Sequence, residues 1–523
     1  AEDGTHGKEL WTSDGTEVGT NLVKDINPGL PHGLTYNSPV VVSNTAVFFV
    51  GYFGTIPQLG VYASDGTSEG MVYLGPGSPS TFGFTDSGES VLYYGSDLEN
   101  TSGLIRSDGT PLGTELISPG LKSGENSVLE SSFVLINGST FFSGNTEKNG
   151  TELWVSDGTA LGTRLFKDIN KTSGTSARRF REVGDQTFFA CNGGILGVSD
   201  GTLEGTKTFQ VIVEGRGTGD EANLVEFGDK LIFVGYDSEH GYELWTSDGT
   251  NAGTYMIKDI IPGTASSLER EATKHSLSKI GDKIYFSANI NSTTEAIWVT
   301  DGTPEGTTKV ADIRLSSGGQ IPNGEEWHMP GFTLLNGQVY FLGIGSDGQG
   351  LYKTLGTPES TEFVYSINSS LRQIYTTKNG LVIVASTTDL YFSDGTTTGT
   401  GPLLTLNYGL SNGGGFATIL NDELYFVENN PDNLMHSIYK TDGTPEGTVI
   451  IYDGGTHSPP NTYINDILTC GNYIYFGVRL SPNFDSPNLE IWRSDGTTAG
   501  TILLATAENG LDALSDITCL NEI

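Results

Sequence analysis

Apolar residues in this chain come in short runs, many alternating with polar residues, and each run stops at Gly, Asn, Asp or Pro. The stretch from Gly331 to Asn368 displays the grammar: FTLLN, QVYFLGI, GLYKT and EFVYSI follow one another with short turn segments between them. A period of two in β-branched and aromatic residues predicts strands, and connections this short predict antiparallel neighbours. The stretch is expected to form one four-stranded sheet, with strands A to D in chain order. No long stretch carries helical apolar spacing, and none has the continuous apolar length of a membrane span.

The same grammar recurs. Between strands C and D stands a Ser/Thr-Asp-Gly-Thr phrase, whose aspartates are Asp14, Asp65, Asp108, Asp157, Asp200, Asp248, Asp301, Asp394, Asp442 and Asp495. An eleventh copy, LYKTLGTPEST, has Leu355 in that place, and the spacings between copies run from 39 to 54 residues. A four-stranded sheet at this period is the unit of a β-propeller. Each blade can bury its faces only against its neighbours, so the ring has to close. The expected fold is all-β, a β-propeller of about 11 four-stranded antiparallel blades, read as a single array over residues 1–523. One ring is favoured; two smaller propellers are the alternative.

The phrase explains itself as a hairpin. In TPEGT, Thr303 to Thr307 and again Thr444 to Thr448, proline presets the first turn position. The glycine after it is expected to be the left-handed residue of a bulged hairpin, and Gly15, Gly66, Gly158 and Gly249 are assigned the same use. Each aspartate can accept backbone N–H groups as an Asx turn does, so all ten read as turn residues. Trp11, Trp154, Trp245, Trp298 and Trp492 occupy one position of strand C, where Tyr62, Tyr352, Tyr391 and Tyr439 substitute. A large aromatic fixed there predicts packing between blades; a carbohydrate-stacking ladder is the sharper alternative.

The fullest copies, residues 9–29, 152–169 and 243–263, follow the pattern (E)LWxSDGTxxGTxLVKDIxPG. It resembles that of the ELWxxDGT-repeat proteins, a class of predicted secreted β-propellers. The resemblance covers essentially the whole chain and implies a secreted propeller. It carries over no catalytic residue.

Aligning the termini on Ser278 to Thr303 places the C-terminal TCLNEI on a strand A and the N-terminal ELW phrase on a strand C. A composite blade built from residues 1–29 plus 511–523 is therefore expected to close the ring. Of the three cysteines, Cys470 and Cys519 hold the same strand-A position in neighbouring blades, which predicts a disulfide and an oxidising compartment. Cys191 reads as buried and unreactive.

Charge narrows the function. A net charge of −36, from 63 acidic and 27 basic side chains, repels phosphate backbones and anionic lipid, so neither nucleic acid nor membrane insertion is expected. The seven histidines are scattered, no HExxH or Walker phrase is present, and the G-x-S-x-G strings at 66–70, 197–201 and 409–413 lack the strand-to-helix setting of a nucleophile elbow. The chain is therefore expected to be a non-enzymatic extracellular or cell-surface scaffold, whose partners are other extracellular proteins, glycans or copies of itself. A lectin-like module binding glycan or Ca²⁺ is the alternative, and a glycan-active hydrolase or lyase a more remote one. The ligand candidates are Trp327 and His328, in an enlarged loop outside the repeat pattern, and Asp237 and Glu239, in an oxygen-rich B–C loop.

Overall fold

A computed structural model describes residues 5–29, 32–35, 40–44, 46–53, 58–77, 82–84, 88–97, 99–123, 133–169, 177–191, 195–212, 224–268, 277–291, 294–316, 331–410, 417–430, 435–454, 462–480 and 488–507. Among them the expected meander repeats without exception. Ten units each carry four antiparallel strands in the order A-B-C-D, and unit 1 contributes Leu10–Thr12 and Asn21–Lys24, its strands C and D. The strands of unit 8 are Phe332–Leu335, Gln338–Gly345, Gly348–Thr354 and Glu362–Ser366, the four runs picked out by apolar pattern. Single residue pairs, Ile212 with Tyr236 and Met435 with Thr462, tie units 5 to 6 and 10 to 11. The A strands of neighbouring units adjoin, so the sheets converge on their first strands. This is a β-propeller.

A bulge at one fixed place sets each unit's packing. In unit 6, Trp245 faces Met256 and Leu244 faces Lys258, which leaves Ile257 as an extra residue in strand D. The same slip leaves Val23, Val310, Val364 and Ile451 over in their units, and all five are buried. An extra residue adds local twist and re-aims its side chain. Here it turns an apolar side chain of the terminal strand inward.

The apolar core is divided among the seams. Among the described residues, ten clusters of buried side chains each draw on two consecutive units. Ile297, Val310 and Tyr285 of unit 7, for example, pack with Phe341, Val339 and Tyr352 of unit 8. Where the strand C aromatic joins a cluster, it is the seam with the preceding unit: Trp245 joins the 5/6 cluster, Trp298 the 6/7 cluster and Trp492 the 10/11 cluster. It lies flat on the strand B aromatic across from it, as in Phe341–Tyr352 at 5.6 Å and 14° and Phe476–Trp492 at 6.3 Å and 10°. Inter-unit packing is therefore the role these rings have.

In most units the left-handed glycine of the C–D turn also touches the unit before it, although Gly66 of unit 2 has open space around it. Gly496 of unit 11 lies against the Tyr425 hydroxyl of unit 10, and Gly356 of unit 8 lies 3.0 Å, measured from a Cβ built there, from the Tyr285 hydroxyl of unit 7. Gly15 of unit 1 has the same relation to unit 11: its Cβ would stand 3.3 Å from the hydroxyl of Tyr475, the residue equivalent to Tyr425, and 2.8 Å from Arg493 Nη1. Unit 1 thus sits on unit 11 as unit 11 sits on unit 10. Residues 511–523 and Cys519 lie outside the described residues. Cys470 is disulfide-bonded, whereas Cys191 is a free buried thiol that burial pushes up to about 12.

Truncating a seam residue should therefore cost far more than truncating a hairpin tip. Phe341→Ala is expected to lower stability by about 3–5 kcal/mol in urea unfolding. Leu112→Ser, at a fully exposed tip, should stay within about 0.5 kcal/mol of the parent.

Candidate functional site

The repeated phrase is the natural place to look for chemistry, and its polar atoms are nearly all engaged in local hydrogen bonds. In unit 7, the Thr303 N–H and hydroxyl both donate to Asp301 Oδ1, at 2.9 and 2.7 Å. The Thr303 hydroxyl oxygen accepts the Gly306 N–H at 3.0 Å, and Thr307 Oγ1 donates to the Thr303 carbonyl at 2.7 Å. Thr300 Oγ1 accepts the Gly302 N–H at 2.9 Å. The N–H and hydroxyl bonds to the carboxylate recur in all ten aspartate-bearing copies. The threonine hydroxyl, then its N–H, holds Asp14, Asp65 and Asp495 below the usual carboxylate range. The turn assignment of these aspartates is what the geometry displays.

The two glycines do different jobs, which corrects the reading of TPEGT. The glycine after the aspartate is the left-handed one, with φ of 82° at Gly15 and 84° at Gly302. The second glycine, Gly306 or Gly447, is not left-handed; a Cβ there would land inside the carboxylate of Asp301 or Asp442. Unit 8 confirms the logic. Leu355 replaces the aspartate, Ser360 replaces the second glycine, and the Ser360 hydroxyl accepts the Leu355 and Thr357 N–H groups, both at 3.1 Å. Sequence alone showed the lost aspartate; the compensating serine was visible at a fixed offset of five residues and went unread.

A second acidic feature was missed altogether. Where strand C begins Glu-Leu-Trp, the glutamate is wholly buried: Glu9, Glu152 and Glu243 each have 0% exposure. Each accepts the N–H of the isoleucine 17 residues on, at 3.0 Å for Ile26, 2.9 Å for Ile169 and 3.3 Å for Ile260. Glu243 also accepts the Ser267 N–H at 3.1 Å and the Ser267 hydroxyl. The glutamate thus pins the D–A connection back onto strand C. The lysine of the same phrase reaches the next unit: Lys258 Nζ donates to the Thr307 carbonyl at 2.7 Å, and Lys167 Nζ to the Leu203 carbonyl at 3.0 Å. The conjunction of Glu at the start of strand C and Lys-Asp-Ile after strand D was the available signal.

Among the sequence-predicted ligand candidates, Trp327 and His328 lie outside the described residues. Asp237 and Glu239 share a B–C turn with His240. Asp237 Oδ1 accepts the N–H groups of Glu239 and His240 at 2.8 and 2.7 Å, and its carboxylate meets His240 Nδ1 at 2.9 Å. That contact raises His240 above the usual imidazole value, with Asp259 and Glu239 adding to it. Asp237 is held low: burial pushes it up, and the hydrogen bonds from the His240 ring and from the His240 and Glu239 N–H groups, with the His240 charge, together outweigh that. The turn leaves Glu239 exposed. Among the described residues no group of three or more His, Cys, Asp or Glu is arranged to hold a metal ion, and no helix is long and apolar enough to cross a membrane.

The sheets and seams define the class, a β-propeller, and comparison with known proteins adds no narrower name. No family model matches the chain, and no curated protein matches it. It is similar in structure to the tricorn protease, at 12% identity and a TM-score of 0.24, over 94% of this chain and 49% of that one. It is also similar to the β-propeller domain of the Trilobed protease from Pyrococcus furiosus, at 10% identity and 0.26, over 60% of this chain and 92% of that one. A third is the GH74 xyloglucanase from Xanthomonas campestris, at 10% and 0.27, over 92% and 85%. The chain spans about half the length of the tricorn protease.

The turn chemistry makes a paired prediction. Gly306→Ala should destabilise by about 1–3 kcal/mol, through overpacking against Asp301. Asp301→Leu combined with Gly306→Ser, which installs the unit 8 arrangement, should recover most of the lost thermal midpoint.

Proposed function

We propose that this chain is a non-catalytic scaffold of eleven propeller units in one ring, working outside the cell and presenting its hairpin rim to protein partners. The observation that carries the reading is where the repeated polar groups go. The ten turn aspartates, the threonines and the buried glutamates make local bonds that build hairpins and corners. What the rim offers outward is the hairpin tips, and in units 3, 4 and 5 these are leucines. Leu112 is 100% exposed, Leu161 97% and Leu203 56%, on three consecutive units. Apolar side chains exposed at the same hairpin tip of consecutive units favour a protein contact over a small polar ligand. The disulfide at Cys470 fits an oxidising, extracellular setting, as does the resemblance to the ELWxxDGT-repeat class.

Electron microscopy of the purified chain should display single rings of eleven units; two smaller rings would defeat that part of the reading. Sedimentation of the chain alone and with extracellular extract should reveal association that Leu112→Ser, Leu161→Ser and Leu203→Ser together abolish while the thermal midpoint stays unchanged. Saturable binding on a glycan array, or in a calorimetric Ca²⁺ titration, with no association through the rim would replace the scaffold by a lectin-like module.

A further inference from the structure

Two of the acidic corners bring a pair of carboxylates together. In unit 6, Leu244 faces Lys258, and the same register sets Glu243 opposite Asp259. In unit 1, Leu10 faces Lys24, which sets Glu9 opposite Asp25. Like charges directly across an antiparallel pair repel. Both glutamates are wholly buried, where that repulsion is poorly screened. The aspartates are one bond short: Asp259 Oδ2 accepts the Gly263 N–H at 3.4 Å and Asp25 Oδ2 the Gly29 N–H at 3.3 Å. The Oδ1 of each is shut off from solvent and has no hydrogen-bond partner among the described residues. Native structures rarely leave a buried acceptor in that state. One proton on the glutamate would remove the repulsion and supply the missing donor.

We propose that Glu9 with Asp25, and Glu243 with Asp259, each hold one proton in common, so that the two corners are proton latches on the D–A connection. Burial, with the facing aspartate adding to it, raises both Glu9 and Glu243 to about 7, against the backbone N–H groups that hold them down. Other titratable groups lie near both corners. In unit 6, His240 faces Asp259 but is bonded to Asp237, with Glu239 beside it, and Lys258 extends to the Thr307 carbonyl of unit 7. In unit 1, Glu9 faces Tyr62 of unit 2, and His32 accepts the Lys8 N–H at 3.0 Å. Unit 4 has the same register, with Leu153 facing Lys167. There Asp168 Oδ1 is likewise buried without a hydrogen-bond partner among the described residues, but the Arg178 guanidinium of unit 5 acts on Cys191, as Glu152 does, and the proposal is confined to units 1 and 6.

The sign follows from linkage. A carboxyl raised above its unfolded value adds stability that is fully present below the unfolded carboxylate range and is lost as pH rises through about 7. An infrared titration of the full chain should find a protonated-carboxyl stretch at about pH 6 that disappears by about pH 8. Glu243→Gln, whose amide still donates to Asp259, should remove about half of that band, and Glu9→Gln with Glu243→Gln nearly all of it. The thermal midpoint of the double variant should be flat across the interval in which the parent falls. A parent without the band overturns the proposal, and so does a double variant with the parent's slope. A midpoint raised by added Ca²⁺ at about pH 8 in the parent and not in Glu243→Gln would overturn it too, by putting a cation between the carboxylates. Should the variants fail to fold, the infrared titration of the parent decides alone.

Discussion

A four-stranded sheet has two apolar faces and no means of covering either by itself. Each unit of this protein meets that constraint by giving one face to the unit before it and the other to the unit after. The buried side chains therefore lie in clusters that bridge consecutive units. Strand positions that would be polar in a one-sided sheet are buried here; strand C of unit 7, Glu295–Thr300, is buried over five of its six residues. The bulge in strand D serves the same end, because it turns one more apolar side chain toward the seam.

Once the seams dominate, the hairpin between strands C and D has to be rigid at its own expense, since it projects beyond them. The aspartate supplies one oxygen to two donors on a threonine two residues away, and the second glycine makes room for that carboxylate. Aspartate and glycine are consequently one device, and unit 8 replaces both together with leucine and serine. In most units the turn also serves the packing of neighbours, because the left-handed glycine behind the aspartate is a point at which one unit touches the unit before it.

Acidity in this chain is of two physical kinds. Turn aspartates such as Asp14 and Asp65 are exposed, hydrogen-bonded and held below the usual carboxylate range. They carry surface charge. Corner glutamates such as Glu9 and Glu243 are buried, face a second carboxylate and are pushed up toward neutrality. Residues of one chemical class thus respond to pH in opposite directions. Stability from the turn aspartates is lost as acid protonates them, whereas stability from the corners is lost as base removes their protons.

The strand grammar, the eleven repeats and the turn role of the ten aspartates were all legible in the sequence, because they rest on local physics: a period of two, the hydrogen-bonding reach of an aspartate, and the tolerance of glycine for positive φ. The position of Trp245 or Trp298 between units was legible too, since a large aromatic at a fixed place in a repeat has few other uses. What sequence could not supply was anything depending on two segments meeting. The second glycine was misread because its neighbour is a carboxylate five residues back, folded over it. The buried glutamates were overlooked because Glu243 looks like any surface residue until the bulge register sets it beside Asp259 and Ser267. The relation of Gly15 to Tyr475 and Arg493 is likewise a contact between residues more than 450 positions apart. Local preferences decided what each unit is, and long-range packing decided which of its polar atoms are spent, which are squeezed, and how the first unit meets the last.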